Sequence, residues 1–153
     1  MTPRLPAGRV HAFVRAHALH VPHLRDRLAL MGLLSGLFAK KEPPIHVNDS
    51  NFDEEVLKSD VPVVLDVWSP SCAPCQKLEE VMVALRKRYD GRVKICELSS
   101  ANAQKTAAKL RISATPTVLY FQGGREKDRV MGFRSSVYHQ EAIEELFGIA
   151  PKP

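Results

Sequence analysis

Two cysteines three positions apart, Cys72 and Cys75, are the residues in this sequence best placed to do chemistry. They follow an apolar, largely β-branched run, Val61-Pro62-Val63-Val64-Leu65-Asp66-Val67-Trp68, and the short turn Ser69-Pro70-Ser71. Beyond them the periodicity becomes helical, so the pair falls on the first turn of a helix. There, unpaired amide N–H groups and the positive end of the helix dipole favour a negative charge, and the thiol of Cys72 should ionise more readily than a free one. A thiol pKa near about 8.5 leaves roughly 3% thiolate at neutral pH, whereas one near about 7 leaves half. Pro74 has a φ suited to a helix start and brings the two thiols close enough to close a small ring. The competing use of such a pair is half of a zinc site, but no second pair completes four ligands. A redox dithiol is the better reading.

The elements that position this pair can be taken from the rest of the chain. At 153 residues, 44% apolar and 25% charged, it has the composition of one soluble domain with a core and an appendage. Three cysteines are too few for a disulfide framework. The net charge of +5 is unevenly placed: residues 1–41 hold seven basic groups against Asp26 alone, leaving 15 basic and 16 acidic groups in the remainder. The basic excess belongs to the N-terminal segment, and the main domain has no basic stripe suited to nucleic acid.

Residues 1–41 form a basic, partly apolar extension, disordered or helical. His11, His17, His20 and His23 lie in it without accompanying cysteines or acids, so a solvated tail is preferred over a metal site. Residues 28–39 are apolar apart from Ser35 and glycines, too few to span a bilayer as a helix. The run is compatible with a signal-peptide core, with a helix resting on a membrane or on the main domain, or with a leader created by an upstream start, Met31 being the initiator. A dispensable extension is preferred, with membrane contact as the lesser alternative.

From residue 42 onward the pattern gives a strand at 45–47 and a helix after Asn51 and Glu54, whose spacing suits a capping box. A strand at 61–68, apolar on both faces, implies a central position. A helix over 73–89 carries Leu78, Val81, Met82, Leu85 and Tyr89 on one face. Then come a strand at 93–98, a helix at 101–110, a strand at 117–121, a turn at Gln122-Gly123-Gly124 and a strand at 126–133. A last helix, capped by Ser135 or Ser136, buries Val137, Ile143, Leu146 and Phe147 and stops at Gly148. The order β-α-β-α-β-α-β-β-α specifies an α/β fold with a mixed five-stranded sheet flanked by four helices.

Residues 45–147 resemble thioredoxin. The matching pieces are Ser50-Asn51-Phe52-Asp53, Val64-Leu65-Asp66-Val67-Trp68, Cys72-Ala73-Pro74-Cys75, Thr106-Ala107-Ala108-Lys109, Ala114-Thr115-Pro116-Thr117, Gly124 and Gly132. The resemblance implies a thioredoxin fold over 42–153 and a thiol-disulfide oxidoreductase reducing protein disulfides. Cys72 would attack the target disulfide and Cys75 would resolve the mixed disulfide. Asp66, an acid within an apolar strand, would take the proton of Cys75, with its pKa raised by burial. The resemblance also implies a cis bond before Pro116, leaving the Thr115 backbone to pair with an extended substrate, and a substrate face made by Trp68, Pro74, Thr115, Pro116 and Gly132. It implies no bound cofactor or metal, electrons from an NADPH-dependent thioredoxin reductase, disulfide-bearing protein substrates, no nucleic acid, a monomer, and a cytoplasmic location. The alternatives are an exported or membrane-tethered oxidant or isomerase, and a binding or chaperone-like module that has kept the fold.

The sequence departs from the family at Ser71, Ala73 and Gln76 around the dithiol, at Glu80 where a kinking proline is usual, and at Glu97 where a lysine usually neighbours the buried acid. If Glu97 faces Asp66, a like charge raises the acid further. Cys96 reads as an inert buried thiol.

Overall fold

The computed structural model describes residues 43–152. The expectations placed on residues 1–41, including the four histidines and the 28–39 run, lie outside the described residues. The elements are β1 (Ile45–Val47), α1 (Asp53–Leu57), β2 (Val63–Trp68), α2 (Ala73–Tyr89), β3 (Lys94–Ser99), α3 (Gln104–Lys109), β4 (Thr117–Gln122), β5 (Arg125–Met131) and α4 (Ser136–Phe147). They form a five-stranded sheet in the order β1-β3-β2-β4-β5, with β2 parallel to β3 and antiparallel to β4.

The alternation of β2 explains the two cores. Val63, Leu65 and Val67 face one side, where they pack with Val47, Phe52, Val56, Cys96, Leu98 and Phe121 beneath α1 and α3. Val64 faces the other side, packing with Leu78, Met82, Leu85, Tyr89, Ile95, Tyr120 and Ile143 beneath α2 and α4. Burial of side chains such as Leu78, Met82 and Leu85, all at most 1% exposed, stabilises the fold by about 1.5–3 kcal/mol each. Asp66 is on the α2 face of β2, beyond Val64, so the strand that anchors the core also carries the acid under the start of α2.

Several local readings need correction. The strand expected at 61–68 starts at Val63, because Pro62 has no N–H to donate to the ladder. Asn51 and Glu54 do not form a capping box: the Asn51 side chain accepts from the Asn48 amide, at 2.7 Å, and Glu54 pairs with Lys58. The loop's capping power goes instead to α3, whose own N-cap, Ala103, has no side-chain acceptor; Asp49 accepts from the Thr106 amide at 2.8 Å and its hydroxyl at 2.7 Å. These bonds hold the Asp49 carboxyl below its ordinary pKa. α1 is a single wide turn, with the Lys58 amide bonded to the Asp53 carbonyl five residues back. α3 begins at Gln104 rather than 101, after a turn in which Asn102 and Ala103 donate to the Ser99 carbonyl. β5 ends at Met131, before Gly132 at φ 80°. In α4 Val137 is 61% exposed, and the position expected of it in the core is taken by His139, fully buried. The expected caps of α4 stand: Ser135 accepts from the Tyr138 amide and Gly148 adopts the left-handed conformation that stops the helix.

Candidate redox site

Cys72 is the N-cap of α2, with extended backbone, and Pro74 lies in the helix's first turn. Before it, Ser71 takes a left-handed conformation, φ 62°, which turns the chain from β2 into the helix. Cys72 and Cys75 are joined as a disulfide with their Cα atoms 5.2 Å apart. The Cys75 amide points at the Cys72 sulfur, 3.3 Å away, a donor placed to favour negative charge there. The two sulfurs differ in access. Cys72 is half-buried, whereas Cys75 is 5% exposed.

The other expected residues converge on this pair. The Thr115–Pro116 bond is cis, and the Thr115 carbonyl lies 3.7 Å from the Cys72 sulfur. Pro116 is buried, and its carbonyl accepts from the Gly132 amide at 2.8 Å, so Gly132 fixes the end of β5 against the proline. Ser69, not anticipated from the sequence, shares a 2.7 Å hydroxyl hydrogen bond with Thr115 and ties the turn before the dithiol to the proline loop. No regular spacing links Ser69 to Thr115, so only the fold reveals it.

Beside the disulfide is a cavity of about 330 Å³ lined by Asp66, Trp68, Cys72, Cys75, Glu79 and Glu97 and, toward the surface, by Ser71 and Gln76. Asp66 is 4% exposed and its Oδ1 has no hydrogen-bond partner. Burial, with Glu97 and then Glu79 as like charges, pushes its pKa up to about 7. Glu97 does face it, since the two are paired in the β2–β3 register. Glu79 was not singled out from the sequence, although its i+4 spacing from Cys75 puts both on one flank of α2. Trp68 lines the cavity and its buried indole nitrogen has no partner. No lysine or arginine is among the described residues lining this cavity. Cys96, fully buried on the opposite face of the sheet, has its thiol pKa pushed up to about 12 by burial.

Among the described residues, no group of three metal-ligating side chains is arranged to hold an ion, and no helix is long and apolar enough to cross a membrane.

A half-exposed cysteine at a helix N-terminus, bonded to a buried one above a buried acid and beside a cis-proline loop, defines a dithiol–disulfide redox domain on a mixed α/β sheet. The thioredoxin family model matches residues 43–145. The chain belongs to the thioredoxin family. It is 38% identical over 99 residues to the chloroplastic M-type thioredoxin of Pisum sativum, an alignment covering 65% of this chain and 58% of that protein. It is 37% identical over 86 residues to thioredoxin 1 of Nostoc sp., covering 56% of this chain and 80% of the other. With a thioredoxin of Rickettsia bellii it shares 36% identity over 87 residues, 57% of this chain and 83% of that protein.

Proposed function

We propose that this chain is a thiol-disulfide oxidoreductase that reduces disulfides in other proteins through Cys72 and Cys75. The observation that carries this reading is the asymmetry of the pair: an accessible sulfur facing an amide donor, and a buried one beside an acid. In the reduced state the Cys72 thiolate attacks one sulfur of the target disulfide; a Cys72–target S–S bond forms and the target's second sulfur leaves as a thiolate. Cys75 then gives its proton to Asp66 and attacks Cys72. The Cys72–Cys75 bond forms, the mixed disulfide breaks, and two electrons have passed to the target.

The charges around the pair support electron donation to the target. A dithiol becomes a strong oxidant when its reduced form is stabilised, chiefly as a thiolate beside cations. Here three carboxyl groups and, among the described residues, no lysine or arginine line the cavity beside the pair, so no side-chain cation adds to the stabilisation that the Cys75 amide gives the Cys72 sulfur, which supports a pair that donates electrons. Trp68, Pro74, Thr115 and Gly132 form the substrate face, with the buried Pro116 holding the loop beneath it and the Thr115 backbone pairing to an extended segment of the target. The redox unit is residues 42–153, and 1–41 is an extension. The protein works as a monomer in the cytoplasm, without bound cofactor or metal, and is re-reduced by an NADPH-dependent thioredoxin reductase.

The test is trapping. Cys75→Ser removes the resolving thiol, so mixed disulfides between Cys72 and target proteins should accumulate and dissolve on adding dithiothreitol, while Cys72→Ser should give none. Equal adducts with both variants would overturn the assignment of Cys72 as the attacking sulfur.

A further inference from the structure

The proposed cycle uses one of the three carboxyl groups that line the cavity beside the dithiol. That one, Asp66, is at the buried end: it is 4% exposed and its Oδ1 has no partner. The other two come from different elements. Glu97 on β3 has 28% of its side chain exposed, and Glu79 on α2 is exposed. Cys72, with Ser71 and Gln76, carries the lining out to the surface, so the mouth of the cavity adjoins the sulfur that a target must reach. Thr115, proposed to pair with the target backbone, borders a separate cleft, which leaves this cavity to a side chain of the same target.

Gathering these carboxyl groups is costly. Burial, then Glu97, then Glu79 push the Asp66 pKa up to about 7, and the register neighbour of Asp66 on β4 is the uncharged Val118. Among the described residues, no lysine or arginine lines the cavity to offset the repulsion. A cation brought by the target would offset it, and would favour the ionised Asp66 that can accept the Cys75 proton. The volume of about 330 Å³ has room for one long basic side chain.

We propose that this cavity is a specificity subsite for a lysine or arginine of the target, close in sequence to the cysteine that Cys72 attacks, with Glu79 and Glu97 pairing with the cation. The inference rests on the reading of the chain as a reductase of protein disulfides and names a class of target for it. Clefts lined by one sign of charge raise association rates by roughly tenfold to a thousandfold. This mouth is open to water, so the preference should be on the order of tenfold at low salt and should fade as salt is added.

The experiment measures reduction, by the reduced full chain, of symmetric disulfide dimers of a short neutral peptide carrying Lys, Ala or Glu at each of the positions flanking its cysteine. Freed peptide is read by acid quenching and chromatography. Each rate is divided by that with dithiothreitol, which removes the effect of the added charge on the leaving thiol. At one flanking position the Lys peptide should react on the order of tenfold faster than the Ala peptide, and the Glu peptide more slowly. The preference is a ratio within one protein, so a general change in rate cancels. It should collapse in the Glu79→Gln/Glu97→Gln double variant and shift toward the Glu peptide in Glu79→Lys. Equal normalised rates for Lys, Ala and Glu at every position would overturn the subsite while leaving the reductase intact. A preference for Lys that persists in the double variant would also overturn it, placing the cation elsewhere. Reduction of none of the peptides would remove the reductase reading itself.

Discussion

Replacing Asp66 by Asn should change how stability depends on pH. The Asp66 carboxyl has a folded pKa of about 7 against an ordinary value of 3.8. Because the folded value is the higher, the contribution is fully present below about pH 4, where both states hold the proton. Between 4 and 7 the unfolded chain releases a proton that the fold retains, so stability falls by about 1.4 kcal/mol per pH unit and by about 4 kcal/mol in all. Asn cannot titrate, so the variant escapes this loss. The difference, Asp66→Asn minus wild type, should therefore grow by about 4 kcal/mol from pH 4 to 8 and level off above. Any packing cost of the amide adds a constant and leaves the slope unchanged. The assay is urea unfolding of the disulfide form followed by circular dichroism across that range, with the slope against urea checked at each pH. A pH-independent difference would refute the buried, unpaired state of the acid. The wild-type curve alone would mislead, because His139 works in the opposite direction.

His139 is fully buried, its Nδ1 bonded to the Tyr120 hydroxyl at 2.6 Å and its Nε2 without a partner, and burial and then Arg134 lower its pKa to about 4. Since the folded value is the lower, stability should fall by about 3 kcal/mol as pH drops from about 6.5 to 4; unfolding of His139→Phe over that range should lack this loss. Gly124, at φ 72°, brings the Leu57 carbonyl oxygen within 2.5 Å of where a Cβ would stand. Gly124→Ala should therefore lower stability by about 2–4 kcal/mol, read as a shift in the urea midpoint at unchanged slope; a loss below about 1 kcal/mol would show that the turn yields freely. Cys96 should resist thiol reagents, so the reduced native protein should titrate two of its three cysteines with Ellman's reagent and all three in denaturant.

The dithiol, the buried acid and the central strand were legible because each is written locally: a three-residue spacing, an acid in an apolar run, and apolar residues on both faces of β2. The 17-residue span of α2 follows from its periodicity and from Pro74 and Asp90-Gly91 at its ends. What failed depended on distant partners. Asp49 caps a helix 57 residues away, so its loop reads locally as the cap of α1. His139 takes the place expected of Val137 because Tyr120, across the core, offers it a hydrogen bond. Ser69 enters the site through a turn that no pattern in the sequence encodes, whereas Glu79 shares a flank of α2 with Cys75 by its i+4 spacing, and only the fold shows that this flank faces Asp66. Glu97 was visible only by comparison with the family, and its opposition to Asp66 required the pairing of β2 with β3.

The central claim, that Cys72 and Cys75 donate electrons to protein disulfides, is tested most directly by the reduction potential of the pair in the full chain equilibrated against defined thiol buffers. An electron-donating dithiol of the kind proposed should give a value near about −270 mV. A value between about −180 and −120 mV would contradict the account and make the pair an acceptor of electrons.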